Sequence, residues 1–233
     1  MLIGAMNNPA NDVLEEIEWM AGLGFQFIDL TLEPPRAASW AVDPAPIRAA
    51  LARHGMEVVG HTPFYLPLAS AIEEIRLAAV AELRRCLEVF HSLGVSWMNL
   101  HPDRYTPMHD RSFFIRRNLQ SLGELLPVAR RLGIGIMIEN LPGEFNTAAQ
   151  LRDLLDPLPE LGLHLDVGHA NLQVPYNTTR EILEAYGTRL RHVHLHDNKG
   201  GYADLHMPIG SGSVDIPDAI RALRRCGYDG TFT

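Results

Sequence analysis

Cysteine is scarce. Cys86 and Cys226 are the only two in 233 residues, far apart and in helix-like segments. That excludes a disulfide framework and a CxxC site, and it suits a reducing cytoplasm. No apolar run approaches the roughly 18 residues of a membrane span. The opening MLIGAMNNPA lacks the basic-then-apolar order of a secretory leader, so neither a leader nor a membrane partner is expected. Basic residues are outnumbered, 20 Lys and Arg against 28 Asp and Glu, for a formal net charge of −8. A grip on a nucleic-acid backbone usually needs a basic face, so this balance argues against a nucleic-acid partner. The pairs Arg84-Arg85, Arg116-Arg117, Arg130-Arg131 and Arg224-Arg225 read as solvated helix faces. No GxGxxG follows the first apolar run, which weakens a dinucleotide-binding sheet, and HExxH is absent. Linkers and low-complexity tracts are missing too, which predicts a single domain over 1–233.

What is present is alternation. Short apolar runs at Leu2–Met6, Phe25–Leu32, Glu57–His61, Ser96–His101, Gly135–Glu139, Gly162–Asp166, Leu190–His196 and Thr231–Thr233 read as strands. Between them, amphipathic stretches near 11–22, 44–54, 71–93, 111–132, 147–155, 179–187 and 215–226 read as helices. Asn11, Asp43, Thr147 and Asp215 are placed to cap helix starts. Gly24, Gly55, Gly94, Gly133 and Gly227 follow helical patterns where a left-handed residue ends a helix. Strands alternating with helices predict one parallel sheet, and eight strands is the count that closes a (β/α)8 TIM barrel. The eighth run stops at Thr233, so the last strand is expected to be truncated.

The residues that end the strands carry the chemistry. EVVGH ends at His61, SWMNLH at His101, GIMIE at Glu139 and GLHLD at Asp166. HVHLHD puts His192, His194 and His196 on one face, because side chains alternate along a strand. In a barrel these carboxyl ends share one rim, where sites of this fold lie. Burying so many polar groups together is costly unless a metal or hydrogen bonds satisfy them. The loops add His169, three residues past Asp166, and the Asp204-Leu-His206 pair before Ile209-Gly210-Ser211-Gly212. Mixed imidazole and carboxylate ligation suits zinc, manganese, cobalt or iron better than magnesium or calcium alone. His196, Lys199 and Glu33 are placed to contact a substrate, and Phe64-Tyr65 to wall a pocket. His192 reads as a packed strand residue; His54, His91, His109 and His164 read as surface or structural.

Together, His61-Thr62-Pro63, Asn99-Leu100-His101-Pro102, Ile138-Glu139-Asn140, Asp166-Val167-Gly168-His169, His192-Val193-His194-Leu195-His196-Asp197 and Ile209-Gly210-Ser211-Gly212 resemble the xylose isomerase-like barrels, in order along almost the whole chain. That superfamily includes sugar isomerases and epimerases and also endonuclease IV. Its epimerase branch implies one metal (Mn, Zn or Co) on Glu139, Asp166 and His194, completed by a glutamate just beyond the last residue. In that branch the two glutamates move protons and His169 contacts substrate oxygens. The endonuclease branch implies up to three zincs, and His61, His101, Glu139, Asp166, His169, His194, Asp204 and His206 match all but one of its ligands. DVGH, HVHLHDN and the acidic composition resemble the sugar branch more closely. The expectation is therefore a cytoplasmic, divalent-metal-dependent isomerase or epimerase of a small sugar, sugar phosphate or related keto or polyol compound, working through an enediolate. The alternatives are an endonuclease IV-like zinc phosphodiesterase and a catalytically incomplete ligand-binding barrel. Homo-oligomerisation is left open.

Overall fold

The structure is a computed structural model and describes residues 1–233. Its elements follow in the order β1 (Leu2–Met6), α1 (Val13–Gly22), β2 (Phe27–Thr31), α2 (Pro44–His54), β3 (Glu57–His61), α3 (Glu73–Leu93), β4 (Trp97–Leu100), α4 (Arg111–Leu132), β5 (Gly135–Glu139), α5 (Ala148–Leu155), β6 (Gly162–Asp166), α6 (Thr179–Tyr186), β7 (Leu190–His194), α7 (Ile216–Arg225) and β8 (Thr231–Phe232). The eight strands form a closed parallel barrel in sequence order, as the alternation of the sequence predicts.

Helix boundaries follow the caps. Asp43, Thr147 and Asp215 each accept a backbone N–H of the first turn, and Thr147 forms a reciprocal capping box with Gln150. The first helix departs from expectation: Asp12 caps it, accepting from the Leu14 N–H, while the Asn11 side-chain amide donates to Glu16. Gly55, Gly94 and Gly133 close α2, α3 and α4 in the left-handed conformation. Four strands are shorter than the apolar runs that contain them, β8 by its last residue. The Phe25 amide returns to Met20 of α1 instead of joining β2. β4 omits Ser96 and His101, and β7 ends at His194, so His196 lies beyond the strand and does not share its face.

The chain divides into two compact units, residues 2–136 with Thr233, and residues 137–232 with Met1. In the first, α3 and α4 are joined through Arg76, which is 1% exposed. Its guanidinium donates to Glu73, Ser121 and Glu124. Arg117, from a pair expected to be solvated, instead donates to the Ser70 carbonyl and to Glu73. Ser121 and Asn118 reach on to Leu68 and Asp103, tying the loops after β3 and β4 to α4.

In the second unit, register sets the site. β5 pairs with β6 so that Glu139 stands opposite His164. β6 pairs with β7 so that Asp166 stands opposite His194. The second pairing contains a bulge: Leu163 faces Leu190, but the next residue, His164, faces His192, so the register passes over Arg191. Paired residues of parallel strands share a face, and a shift of one residue exchanges faces. The bulge therefore turns His192 and His194 to the same side as His164 and Asp166.

Candidate metal centre

Each unit carries a polar cluster at the carboxyl ends of its strands. In residues 137–232, Glu139 and Asp166 end β5 and β6 and are 2% and 0% exposed. Glu139 Oε1 lies 3.0 Å from His169 Nδ1, and its Oε2 lies 3.2 Å from His164 Nδ1. Asp166 Oδ1 accepts the His169 backbone N–H at 2.7 Å, so the turn His169–Asn171 is folded onto the carboxylate it follows. Around the same carboxylate stand His196 Nε2 at 3.1 Å from Oδ1, and His169 Nδ1 and His194 Nδ1 at 3.6 Å from Oδ2. Farther out, His169 Nε2 and His206 Nε2 both reach Asp204 Oδ2, at 3.0 and 3.1 Å.

The backbone beneath is fixed by amides. Asn140 Oδ1 accepts the Asp166 N–H at 2.7 Å, and its Nδ2 donates to the Asp166 carbonyl at 3.0 Å. Asn146 donates to the carbonyls of His169 and Leu172, both at 2.7 Å. Gly168 is required by close approach: a Cβ there would sit 2.2 Å from Cε1 of the His196 ring.

Charge balance is local. Burial alone pushes the Asp166 carboxyl up, but the charge of His169 and the imidazoles of His194 and His196 hold it well below the carboxylate range. Burial likewise disfavours a charged His169, and Asp166, Asp204 and Glu139 overcome it, raising that imidazole well above its ordinary value. Asp204 is held low, as its bonds to His169 and His206 outweigh its partial burial. His164 is the opposite case: burial first, then the neighbouring His194, take it down to about 3, so it is neutral.

These residues fit a divalent cation. Ligand atoms of Glu139, Asp166 and His169 lie within 4.8 Å of one another, as do those of His169, His196, Asp204 and His206. Asp166 Oδ2 is buried and makes no hydrogen bond. The nearest imidazole nitrogens of His169 and His194 stand 3.6 Å from Oδ2, beyond hydrogen-bonding distance, and His169 Nδ1 also faces the Asn140 carbonyl at 3.0 Å.

In residues 2–136, His61 and His101 also come together, with Nε2 atoms 3.3 Å apart. Asn99 Nδ2 lies 3.3 and 3.4 Å from those two nitrogens. His61 Nδ1 is 3.5 Å from Asp29 Oδ1, on a fully buried carboxylate of β2. Glu33 is half-buried; desolvation raises its pKa, against the opposing effects of His61 and the Tyr65 hydroxyl. Phe64 and Tyr65 are 68% and 52% exposed and meet edge to face, ring centroids 5.3 Å apart. Lys199 is exposed and takes no part in the contacts of the cluster.

Sequence reasoning missed three residues. His164 was set aside as surface or structural, yet it lies against Glu139; it stands two residues before Asp166, the spacing that shares a strand face. Asp29 interrupts the apolar run FIDLT, which was a readable signal. Asp197 is 1% exposed and collects backbone amides from a loop, and no sequence signal marks it.

The fold and the cluster define a parallel β/α barrel with a carboxylate–imidazole centre at its strand ends. Residues 17–233 match the xylose isomerase-like TIM barrel family, and the chain belongs to it. An uncharacterised protein of Methanocaldococcus jannaschii is 30% identical over 78% of this chain, which spans 64% of that relative's length. A probable endonuclease 4 of Aquifex aeolicus is 27% identical over 99% of this chain and 89% of its own length. A ketose 3-epimerase of Arthrobacter globiformis is 26% identical over 89% of this chain and 71% of its own length. Among solved structures, a D-tagatose 3-epimerase-like protein superposes with a TM-score of 0.87 at 27% identity, covering all of this chain and 89% of the other.

Proposed function

We propose that this protein is a divalent-metal-dependent epimerase or isomerase of a small sugar or a related keto or polyol compound. The observation that carries the reading is the buried Glu139–Asp166–His169 group, with an Asp166 oxygen left without a hydrogen bond and His194 beside it. The likeness to the tagatose 3-epimerase-like structure and the ketose 3-epimerase supports the sugar branch. Glu139, Asp166, His169 and His194 would hold the cation; when bound, manganese, cobalt or zinc supplies Lewis-acid stabilisation of negative charge on adjacent substrate oxygens. Glu139 is the proton carrier: its carboxylate is backed by neutral His164, which steers Oε2 without adding a charge. His196 and the outer pair Asp204 and His206 present polar atoms to substrate hydroxyls, with His206 stacked on His196 at 3.9 Å.

The test is to load the protein with Mn²⁺ or Co²⁺, offer a panel of free and phosphorylated ketoses in D2O, and follow epimers and deuterium uptake by NMR. Exchange at a carbon next to the carbonyl, lost in Glu139→Gln, is the expected result. A second reading rests on the His169–Asp204–His206 group, the His61–His101 pair and the endonuclease 4 relative: a zinc phosphodiesterase. Cleavage of abasic-site DNA by the zinc-loaded protein, with no proton exchange on any sugar, would replace the first reading by this one.

A further inference from the structure

The Ile209-Gly210-Ser211-Gly212 segment has no part in the chemistry above, yet its backbone is organised around one side chain. The Asp197 carboxylate accepts four backbone N–H groups. Asn198 and Val214 donate to Oδ1 at 2.8 and 3.0 Å, and Gly212 and Gly210 donate to Oδ2 at 2.8 and 3.0 Å. The Asp197 and Met207 backbones also pair in both directions, at 2.9 and 2.8 Å. Asn198 completes the frame: its carbonyl accepts the Ser213 N–H at 2.7 Å and its Nδ2 donates to the Gly168 carbonyl at 2.7 Å. A glycine-rich turn with converging N–H groups is an anion cradle. Here the anion is the chain's own carboxylate, which removes the turn as a cradle for a substrate phosphate.

The closed loop between these anchors carries Asp204 and His206. Both are exposed, and neither belongs to a regular element. His206 is held in the left-handed region, at φ 43°, a conformation that a non-glycine residue keeps only when its surroundings impose it. With that backbone its ring lies flat on His196 and its Nε2 meets Asp204. We infer that Asp197 is the positioning residue that delivers Asp204 and His206 to His169, by gathering the far end of the 198–214 loop onto one buried carboxylate. This rests on reading His169, Asp204 and His206 as site residues.

The experiment uses the full chain free of metal, so that it reads the loop and not turnover. Asp197→Asn removes the charge that holds the four amides. Gly212→Ala keeps the carboxylate but places a Cβ 2.3 Å from Asp197 Oδ1 and 2.2 Å from the Asn198 carbonyl oxygen, which forces the loop away. In both variants the Gly210 and Val214 amides should exchange about tenfold faster or more, because a charge-assisted bond has been lost. The ring ¹⁵N signals of His169 and His206 should move as they do in Asp204→Asn, while the amides of β5, β6 and β7 keep their protection. Unchanged ring signals overturn the inference, since the loop is then placed by something else. General loss of protection through β5–β7 in both variants overturns it too, by making Asp197 a residue of the fold. A wild-type chain that binds no divalent cation refutes the proposed function, and the metal-free readouts still decide on Asp197.

Discussion

At the residue scale the cluster is built from buried carboxylates and imidazoles that hold one another's charge in place. Asp166 is fully buried among imidazoles, and His196 reaches it only because residue 168 has no side chain. Gly168→Ala should therefore turn the His196 ring off Asp166. The expected outcome is a fall in turnover of roughly tenfold to a hundredfold, since small misplacements at a site are expensive, and an overpacking cost of about 1–3 kcal/mol. Steady-state kinetics beside thermal unfolding check both. Much at this scale was legible: Glu139 and Asp166 end apolar runs, where a polar residue needs a reason, and His194 alternates within one. His164 was not read as part of the site because a histidine inside a strand has an ordinary explanation, and only the β5–β6 pairing shows that it faces Glu139. Asp197 was illegible because three of its four partners are backbone amides more than ten residues away, and backbone amides have no sequence signature.

At the scale of elements, the alternation of runs and caps was enough to place every strand and helix, and the errors are at ends. The cap of the first helix lies one position later than expected, at Asp12 and not Asn11. The packing of α3 on α4 was hidden, because Arg117 looked like one of several solvated arginines. Its partner Glu73 is held down to about 2, first by the hydrogen bond from Arg76 and then by that from Arg117, against an ordinary value of 4.5. The unfolded chain therefore takes up this proton before the folded one as pH falls. The contribution of Glu73 is complete above 4.5 and is lost as the pH falls from there to about 2. In urea unfolding, Glu73→Gln should be less stable than the wild type at neutral pH, and the gap should close across that window. A gap that does not change with pH would show that the carboxylate charge is irrelevant to the α3–α4 contact.

At the scale of the whole molecule, a cation held by the folded chain alone must stabilise it. At a metal concentration about a hundredfold above Kd the gain is about 2.7 kcal/mol, or roughly 5–10 °C in melting temperature for a chain of this size. Melting curves with Mn²⁺ or Co²⁺ and with chelator measure the shift. Asp166→Asn should abolish it, because the amide replaces the oxygen that the surrounding imidazoles leave open. The barrel topology was legible from the count and order of strands, whereas the division of the chain near Ile136 has no marker in composition.

The bulge in β7 also predicts how the chain tolerates losing a residue. Within a strand, a one-residue deletion normally turns inside out everything that follows it. Arg191 is the exception, since it is the residue that β6 does not count. Deleting it would set Leu190 directly before His192 and restore a plain ladder, with both histidines still facing inward. Deleting Val193, two positions on, would instead carry His194 to the outer face. The first deletion should keep metal-dependent stabilisation and the second should lose it, as melting curves with and without Co²⁺ would show.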